Sequence, residues 1–168
     1  PHDKVTLAKP RPYLLSDKKQ FRLRFYPEGG ARVRDAEQQI AFELTDGRGR
    51  ACEETVRIFD ENGDCLAEAQ PESRGRGSFL LPAGVGNAYA LVGEDKTQKR
   101  IPLPEATEDF ALRVIPEADG IEITVSAGGE AAQRAEWLGL AILHRARVTY
   151  FDTVTVGAEP VCSFLEKN

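Results

Sequence analysis

The sequence has few of the residues that build covalent or metal-stabilised sites. Its three cysteines, Cys52, Cys65 and Cys162, lie far apart. They form neither a Cys-x-x-Cys pair nor the even framework of a disulfide-rich secreted module, so we expect reduced thiols. Of the two histidines, His2 lies at the terminus and His144 beside a turn, and neither has a partner at zinc-ligand spacing. The sequence therefore predicts no metal site.

An excess of basic charge is also missing. The 168 residues include 22 Lys and Arg against 27 Asp and Glu, which gives a net charge of -5. Lys18, Lys19, Arg48 and Arg50 are too sparse to form a basic face. Because nucleic acids and anionic membranes need such a face, we predict that neither is a partner.

Long hydrophobic runs are absent as well. The longest apolar stretch, residues 138–143, is far shorter than a membrane span and suits a buried strand. We therefore expect no direct insertion of this chain into a membrane. The sequence begins at Pro1 rather than Met, and we expect any targeting segment to have been removed or to lie outside it.

The usual signatures of nucleophilic catalysis are missing. There is no Gly-x-Ser-x-Gly elbow, and the charges of Glu53 and Glu54 would raise rather than lower the pKa of the Cys52 thiol. Gly75 and Gly77 precede a predicted strand rather than a helix, which argues against a phosphate-binding loop. We predict no catalytic and no cofactor-binding residue, no cofactor and no enzyme activity.

One acidic segment has the spacing of the first, third and fifth ligand positions of a calcium-binding loop, with Asp60, Asn62 and Asp64 at these positions. However, Cys65 stands at the sixth position, where glycine is expected, and Pro71 at the twelfth, where glutamate is expected. Asn-Gly favours a tight β-hairpin turn. We therefore interpret these acidic residues as turn formers rather than as cation ligands.

What the sequence does contain is alternation of apolar and polar residues. Phe21, Leu23 and Phe25 fall on one face of an extended strand, with Arg22 and Arg24 on the other. Pro27 has no N–H for a sheet ladder, and the following Gly29-Gly30 allows the chain to reverse. Further strands are predicted at residues 40–45, 56–59, 65–67, 78–81, 89–92 and 100–103.

This spacing predicts an all-β protein built from antiparallel β-sandwiches. We expect a lead-in segment over residues 1–20 with one short edge strand, a complete sandwich over 21–103, and a second unit over 104–168 after the Pro102 and Pro104 boundary. In the second unit we expect a helical turn within 128–136. Strands are predicted at residues 110–114, 121–125, 137–143, 148–156 and 162–165.

Five strands are too few for a full sandwich, which usually needs about seven. We therefore expect the second unit to be incomplete in this sequence. Its last sheet edge should be unpaired or paired with another chain.

Three aromatic residues leave two interpretations open. Tyr26, Tyr150 and Phe151 could form a binding patch, but aromatic residues at strand positions more often belong to the core, and we favour the core. Loops at one end of the sandwich, residues 48–54 and 72–76, are candidates for ligand binding, since sandwich loops often bind.

Taken together, four motifs resemble a known family. They are FYPEGG at 25–30, IAFELTD at 40–46 with Gly49, FDENG at 59–63, and GRGSF at 75–79 with Pro82 and Tyr89. This series resembles the macroglobulin-like domains of large cell-envelope proteins of Bacteroidetes-type bacteria, which are relatives of the alpha-macroglobulins. The resemblance covers residues 21–92 and implies a seven-stranded, immunoglobulin-like sandwich.

The resemblance implies a segment of a long exported protein in the periplasm or at the outer membrane. Its partners would be other domains of the parent protein and an envelope protein. None of the cysteines has the Cys-Gly-Glu-Gln context of a thioester, and Arg76 replaces the methionine often found between the two glycines. The expectation is a non-catalytic structural and interaction module; the alternative is a glycan- or peptide-binding module of an outer-membrane uptake system.

Overall fold

The computed structural model describes residues 20–94, 98–117, 120–134, 137–154 and 161–166. The lead-in segment predicted for residues 1–20, with its edge strand, therefore lies outside the described residues except for Gln20. Nearly all regular structure in the described ranges is β-strand, which confirms the predicted all-β class. The exception is α1, Ala131–Arg134, which lies within the segment where a helical turn is predicted.

Twelve strands are assigned in the described residues. They are β1 Arg22–Pro27, β2 Gln38–Thr45, β3 Val56–Asp60, β4 Cys65–Ala69, β5 Arg76–Leu81, β6 Ala88–Val92, β7 Lys99–Pro102, β8 Phe110–Glu117, β9 Gly120–Ala127, β10 Leu138–His144, β11 Arg147–Val154 and β12 Val161–Glu166. Every strand predicted at residues 21–103 and 110–165 is present, and the strand ends differ from the predicted ones by a few residues at most. Residues 155–156, the end of the strand predicted at 148–156, lie outside the described residues.

The first seven strands form two antiparallel sheets, with strand orders β1-β2-β5 and β4-β3-β6-β7. The sheets share one buried core, as expected for a β-sandwich. Phe42 of β2 is 1% exposed, and its ring centroid lies 6.3 Å from that of Phe79. We call strands β1–β7 the N-terminal sandwich.

The apolar and the charged residues in and next to β1 lie on opposite faces of the strand, as predicted. Phe21 is buried, Leu23 and Phe25 pack against the core, and Arg22 and Arg24 are exposed. The strand ends at Pro27, as predicted. Its register with β2 pairs Phe25 with Phe42 across the sheet.

The remaining strands form two separate groups. Strands β8, β9 and β12 make a three-stranded sheet in the order β12-β9-β8, which we call the third sheet. Strands β10 and β11 pair only with each other among the described strands, and we call them the C-terminal hairpin. Arg145 and Ala146, with φ of 49° and 61°, make its turn.

The prediction that Tyr26, Tyr150 and Phe151 belong to the core is wrong for two of these three aromatic residues. Tyr26 is 51% exposed because it follows Arg22 and Arg24 on the outer face of β1. Phe151 is 67% exposed because it belongs to the C-terminal hairpin, whose two strands pair with no other described strand. Tyr150 is half-buried, and its hydroxyl donates a hydrogen bond to Asp152.

Candidate functional site

The segment between β1 and β2, residues 28–37, leaves the N-terminal sandwich in a tight turn. We call it the junction loop. The N–H of Gly30 donates to the carbonyl of Pro27 at 2.9 Å, and the N–H of Glu28 donates to the carbonyl of Gln39 at 2.9 Å. Gly29 and Gly30 have φ of 83° and 93°, which glycine adopts without steric penalty. The predicted chain reversal at the two glycines is confirmed.

A buried side-chain amide holds the junction loop from inside. Gln38 is 2% exposed, and its Oε1 accepts a hydrogen bond from the N–H of Val33 at 2.6 Å. Its Nε2 donates to the carbonyls of Glu28 at 3.1 Å and Ala31 at 2.9 Å. Because buried polar groups need such partners, one glutamine fixes the course of the loop.

Arg32 ties the junction loop to two other segments of the chain. Its side chain is 3% exposed and donates to three main-chain carbonyls: Pro104 at 2.7 Å, Val85 at 3.2 Å and Gly86 at 2.6 Å. Burial, followed by the charge of Arg34, lowers the pKa of Arg32. A buried guanidinium is expensive to leave without acceptors, so these three carbonyls fix its position.

Main-chain hydrogen bonds join the junction loop to the segment that enters the third sheet. Val33 and Thr107 form a parallel bridge. The N–H of Thr107 donates to the carbonyl of Arg32 at 2.7 Å, and the N–H of Arg34 donates to the carbonyl of Thr107 at 3.1 Å. The chain therefore returns to the loop before it begins β8.

The junction loop also contacts the outer edge of β8. The carboxylate of Glu28 accepts a hydrogen bond from the N–H of Val114 at 2.7 Å, and Glu37 forms an ion pair with Arg113 at 2.7 Å. A Cβ atom on Gly29 would lie 2.9 Å from the backbone nitrogen of Leu112. Only glycine fits this approach without displacing a backbone.

A small apolar cluster and one further hydrogen bond complete the contact. Val33, Ala36 and Ala111 are buried together at the base of the junction loop. The carboxylate of Asp35 accepts a hydrogen bond from the N–H of Gly129 at 3.0 Å. The loop therefore contacts the third sheet through apolar, ionic and main-chain groups at once.

The two loops predicted to bind ligands lie side by side. Leu44, at the end of β2, donates its N–H to the carbonyl of Gly75 at 2.6 Å and accepts from the N–H of Cys52 at 3.1 Å. Next to them, Ala41 and residues 72–74 and 76–78 line an open cleft of about 590 Å³. Arg74 in this cleft has φ of 51°.

The turn interpretation of the calcium-like sequence is confirmed. Asp60 accepts hydrogen bonds from the N–H groups of Asn62 at 2.9 Å and Asp64 at 2.8 Å, as a turn-forming aspartate does. These bonds, that from Asp64 first, lower the pKa of Asp60. His144 is exposed at the end of β10. Within the described ranges no cluster of His, Cys, Asp and Glu has the arrangement to hold a metal.

The cysteines follow the prediction where they are described. Cys52 and Cys65 are reduced thiols, and Cys162 lies on β12. No described helix has the length and apolar character needed to cross a membrane.

Comparison with known proteins gives no assignment. No protein-family model matches the sequence, and no curated protein matches it.

The junction loop is the feature that sequence patterns missed. The FYPEGG motif predicts a turn. The contacts of the junction loop, however, join residues about 80 positions apart in the sequence, and local periodicity does not predict contacts over that distance. Arg32 and Gln38 lie in a polar stretch, where such residues are normally solvated. The available signal was the Gly29-Gly30 pair, since two consecutive glycines permit both a reversal and a close backbone approach.

Proposed function

We propose that the chain is a non-catalytic structural and interaction module of a larger exported bacterial envelope protein, in which it spaces and orients neighbouring domains. The observation that carries this proposal is the junction loop. A loop stabilised by two buried polar side chains contacts the edge of the next sheet, which is what a stiff spacer requires. The macroglobulin-like resemblance of residues 21–92 supports the envelope context.

A stiff spacer should unfold as a single cooperative unit. If the junction loop couples the N-terminal sandwich to the third sheet, calorimetry should give one transition whose van't Hoff and calorimetric enthalpies agree. Gly29→Ala should split this transition, because the new Cβ meets the backbone of Leu112. Two transitions in the unmodified protein would contradict the proposal.

Gly30→Ala is the matched control. Gly30 also has a positive φ, but a Cβ on it has no heavy atom within 4 Å. Both variants therefore carry the same kind of backbone strain, and only Gly29→Ala disturbs the contact with β8. Gly30→Ala should lower the midpoint temperature of unfolding and keep a single transition. If the transition splits in both variants, backbone strain alone uncouples the N-terminal sandwich from the third sheet.

The cleft beside the second predicted binding loop favours a second candidate function, the binding of a glycan or peptide by residues 72–74 and 76–78. A glycan and peptide array on the purified protein tests it, with Arg74→Ala as the variant expected to lose binding. Arg57→Ala, on β3 outside the cleft, is the control. If no glycan or peptide on the array binds the protein at high micromolar protein concentration, this candidate function is excluded.

A further inference from the structure

An antiparallel sheet usually buries one face and turns polar side chains to water on the other. The C-terminal hairpin buries one face in this way, since Leu138, Ile142 and Val154 on it are buried or half-buried. The opposite face, which we call the exposed hairpin face, is apolar as well. Six exposed residues lie on it in three cross-strand pairs: Gly139 with Thr153, Ala141 with Phe151, and Leu143 with Val148. Only Thr153 among them is polar.

The large side chains of the exposed hairpin face are in contact with solvent over most of their surface. Phe151 is 67% exposed, Leu143 64% and Val148 60%. The ring of Phe151 reaches across to β10, since a Cβ on Gly139 would lie 3.4 Å from its Cε2 atom. Trp137, directly before β10, is 65% exposed. Clustered apolar side chains at this level of exposure commonly mark an interaction surface.

The turn at the end of this face is basic. Arg145 and Arg147 are exposed there, and neither forms an ion pair with a described residue. Residues 138–154 contain one acidic residue, Asp152. It pairs with Leu140 and therefore lies on the opposite face. A partner that is both apolar and negatively charged would complement the hairpin, although the whole chain has a net charge of -5.

We propose that the exposed hairpin face docks on the surface of an anionic lipid bilayer. The apolar side chains contact the boundary between headgroups and acyl chains, where Trp137 finds the half-polar environment that suits an indole. Arg145 and Arg147 bind lipid phosphates. An apolar contact combined with a basic one provides the two signals that stable binding at a membrane surface requires.

A second copy of the chain complements this face less well. In a face-to-face dimer, Arg145 and Arg147 of each hairpin would meet an apolar face that supplies no carboxylate. A bilayer of anionic lipids instead supplies a negative charge beside every apolar contact. Charge complementarity therefore favours the bilayer.

This proposal revises the expectation from composition that an anionic membrane is not a partner. That expectation depended on the net charge and on Lys18, Lys19, Arg48 and Arg50, which are scattered along the sequence. The contact involves two other arginines, at the end of an exposed apolar face. It involves neither the junction loop nor the N-terminal sandwich, so its failure would leave the proposed spacer function unaffected.

Fluorescence of Trp137 tests the proposal, because it is the only tryptophan in the sequence. The whole chain is titrated with vesicles of phosphatidylcholine and phosphatidylglycerol in equal parts. The emission should shift to shorter wavelength, because the indole leaves water. Vesicles of phosphatidylcholine alone should give little shift, and added salt should weaken binding to the mixed vesicles.

Two pairs of arginines distinguish the hairpin from charge in general. Arg145→Gln combined with Arg147→Gln should weaken binding to the mixed vesicles roughly thirtyfold. Arg22→Gln combined with Arg24→Gln is the matched control, because it removes the same charge at the same spacing from exposed positions of β1. Charges away from the contact are screened, so the control should change binding by less than about twofold.

A pair of leucines tests the apolar part of the contact. Leu143→Ser should weaken vesicle binding about tenfold, because it removes an apolar side chain that is buried on docking. Leu80→Ser, at an exposed leucine of β5, should bind as the unmodified protein does. Circular dichroism of each variant checks that the fold is retained.

Four results would overturn the proposal. An unchanged Trp137 emission with both kinds of vesicle would show that the hairpin does not bind a bilayer. Equal loss of binding in the two arginine pairs would show only general charge attraction. Emission typical of a buried indole in the free chain would show that the face is covered within one molecule. A shift on concentrating the protein without vesicles, with a dimer in sedimentation velocity, would mean that a second copy covers the face.

Discussion

Phe42 lies at the centre of the N-terminal core. It is 1% exposed, and its ring fills the space beside Gly77, where a Cβ would lie 2.7 Å from Cζ of the ring. Phe42→Ala should therefore lower the free energy of unfolding by about 3–5 kcal/mol, measured by denaturant titration. Tyr26→Ala, at an exposed position on the neighbouring strand, should change it by less than about 0.5 kcal/mol. A loss below about 1 kcal/mol for Phe42→Ala would mean that the register of β2 is wrong.

Asp46 gives a pH-dependent prediction. Its carboxylate accepts hydrogen bonds from the N–H groups of Arg50 and Arg48 and pairs with the Arg50 guanidinium at 2.7 Å. The hydrogen bond from the Arg50 N–H is the largest cause that lowers the pKa of Asp46 from 3.8 to about 2, and desolvation, which raises the pKa, partly opposes it. Because the folded-state pKa is depressed, the stabilisation is present above the unfolded-state pKa and is lost as the pH falls from about 4 to about 2.

The stability difference between the unmodified protein and Asp46→Asn should accordingly shrink over that pH range. An NMR titration of the Asp46 carboxyl group should have its midpoint near 2. A midpoint near the ordinary value would show that the bonds to Arg48 and Arg50 do not form in solution.

At the level of elements, the strands followed from the sequence because alternation is a local property. The faces of β1 and the Asp60 turn depend only on neighbouring residues, and both predictions are confirmed. The environment of Phe151 depends on which strands join the C-terminal hairpin, and its exposure was mispredicted. The junction loop was missed for the same reason, since Glu28 meets Val114 only after the chain has built a complete sandwich.

The outer edge of β8 offers a test of this long-range contact. Glu28→Ala removes the acceptor for the N–H of Val114, and amide exchange at Val114 should accelerate roughly threefold to tenfold, since the bond is charge-assisted but exposed. Hydrogen exchange followed by NMR measures this rate. In Glu37→Ala, which breaks only the exposed ion pair with Arg113, the Val114 rate should stay within about twofold. Equal acceleration in both variants would contradict the assigned role of Glu28.

At the scale of the whole molecule, the contacts of the junction loop imply that the third sheet keeps a fixed orientation on the N-terminal sandwich. Arg32 and Gln38 stabilise the loop, and Glu28, Gly29 and Asp35 contact the sheet or the turn that follows it. A fixed orientation is what a spacer between domains must supply, and a flexible tether would need none of these contacts.

The most direct measurement is that of residual dipolar couplings from backbone N–H groups in a weakly aligning medium. If the junction loop fixes the third sheet, one alignment tensor should fit the couplings from β1–β7 together with those from β8 and β9. Two different tensors, or much weaker alignment of β8 and β9, would show that the units reorient independently and would contradict a fixed orientation.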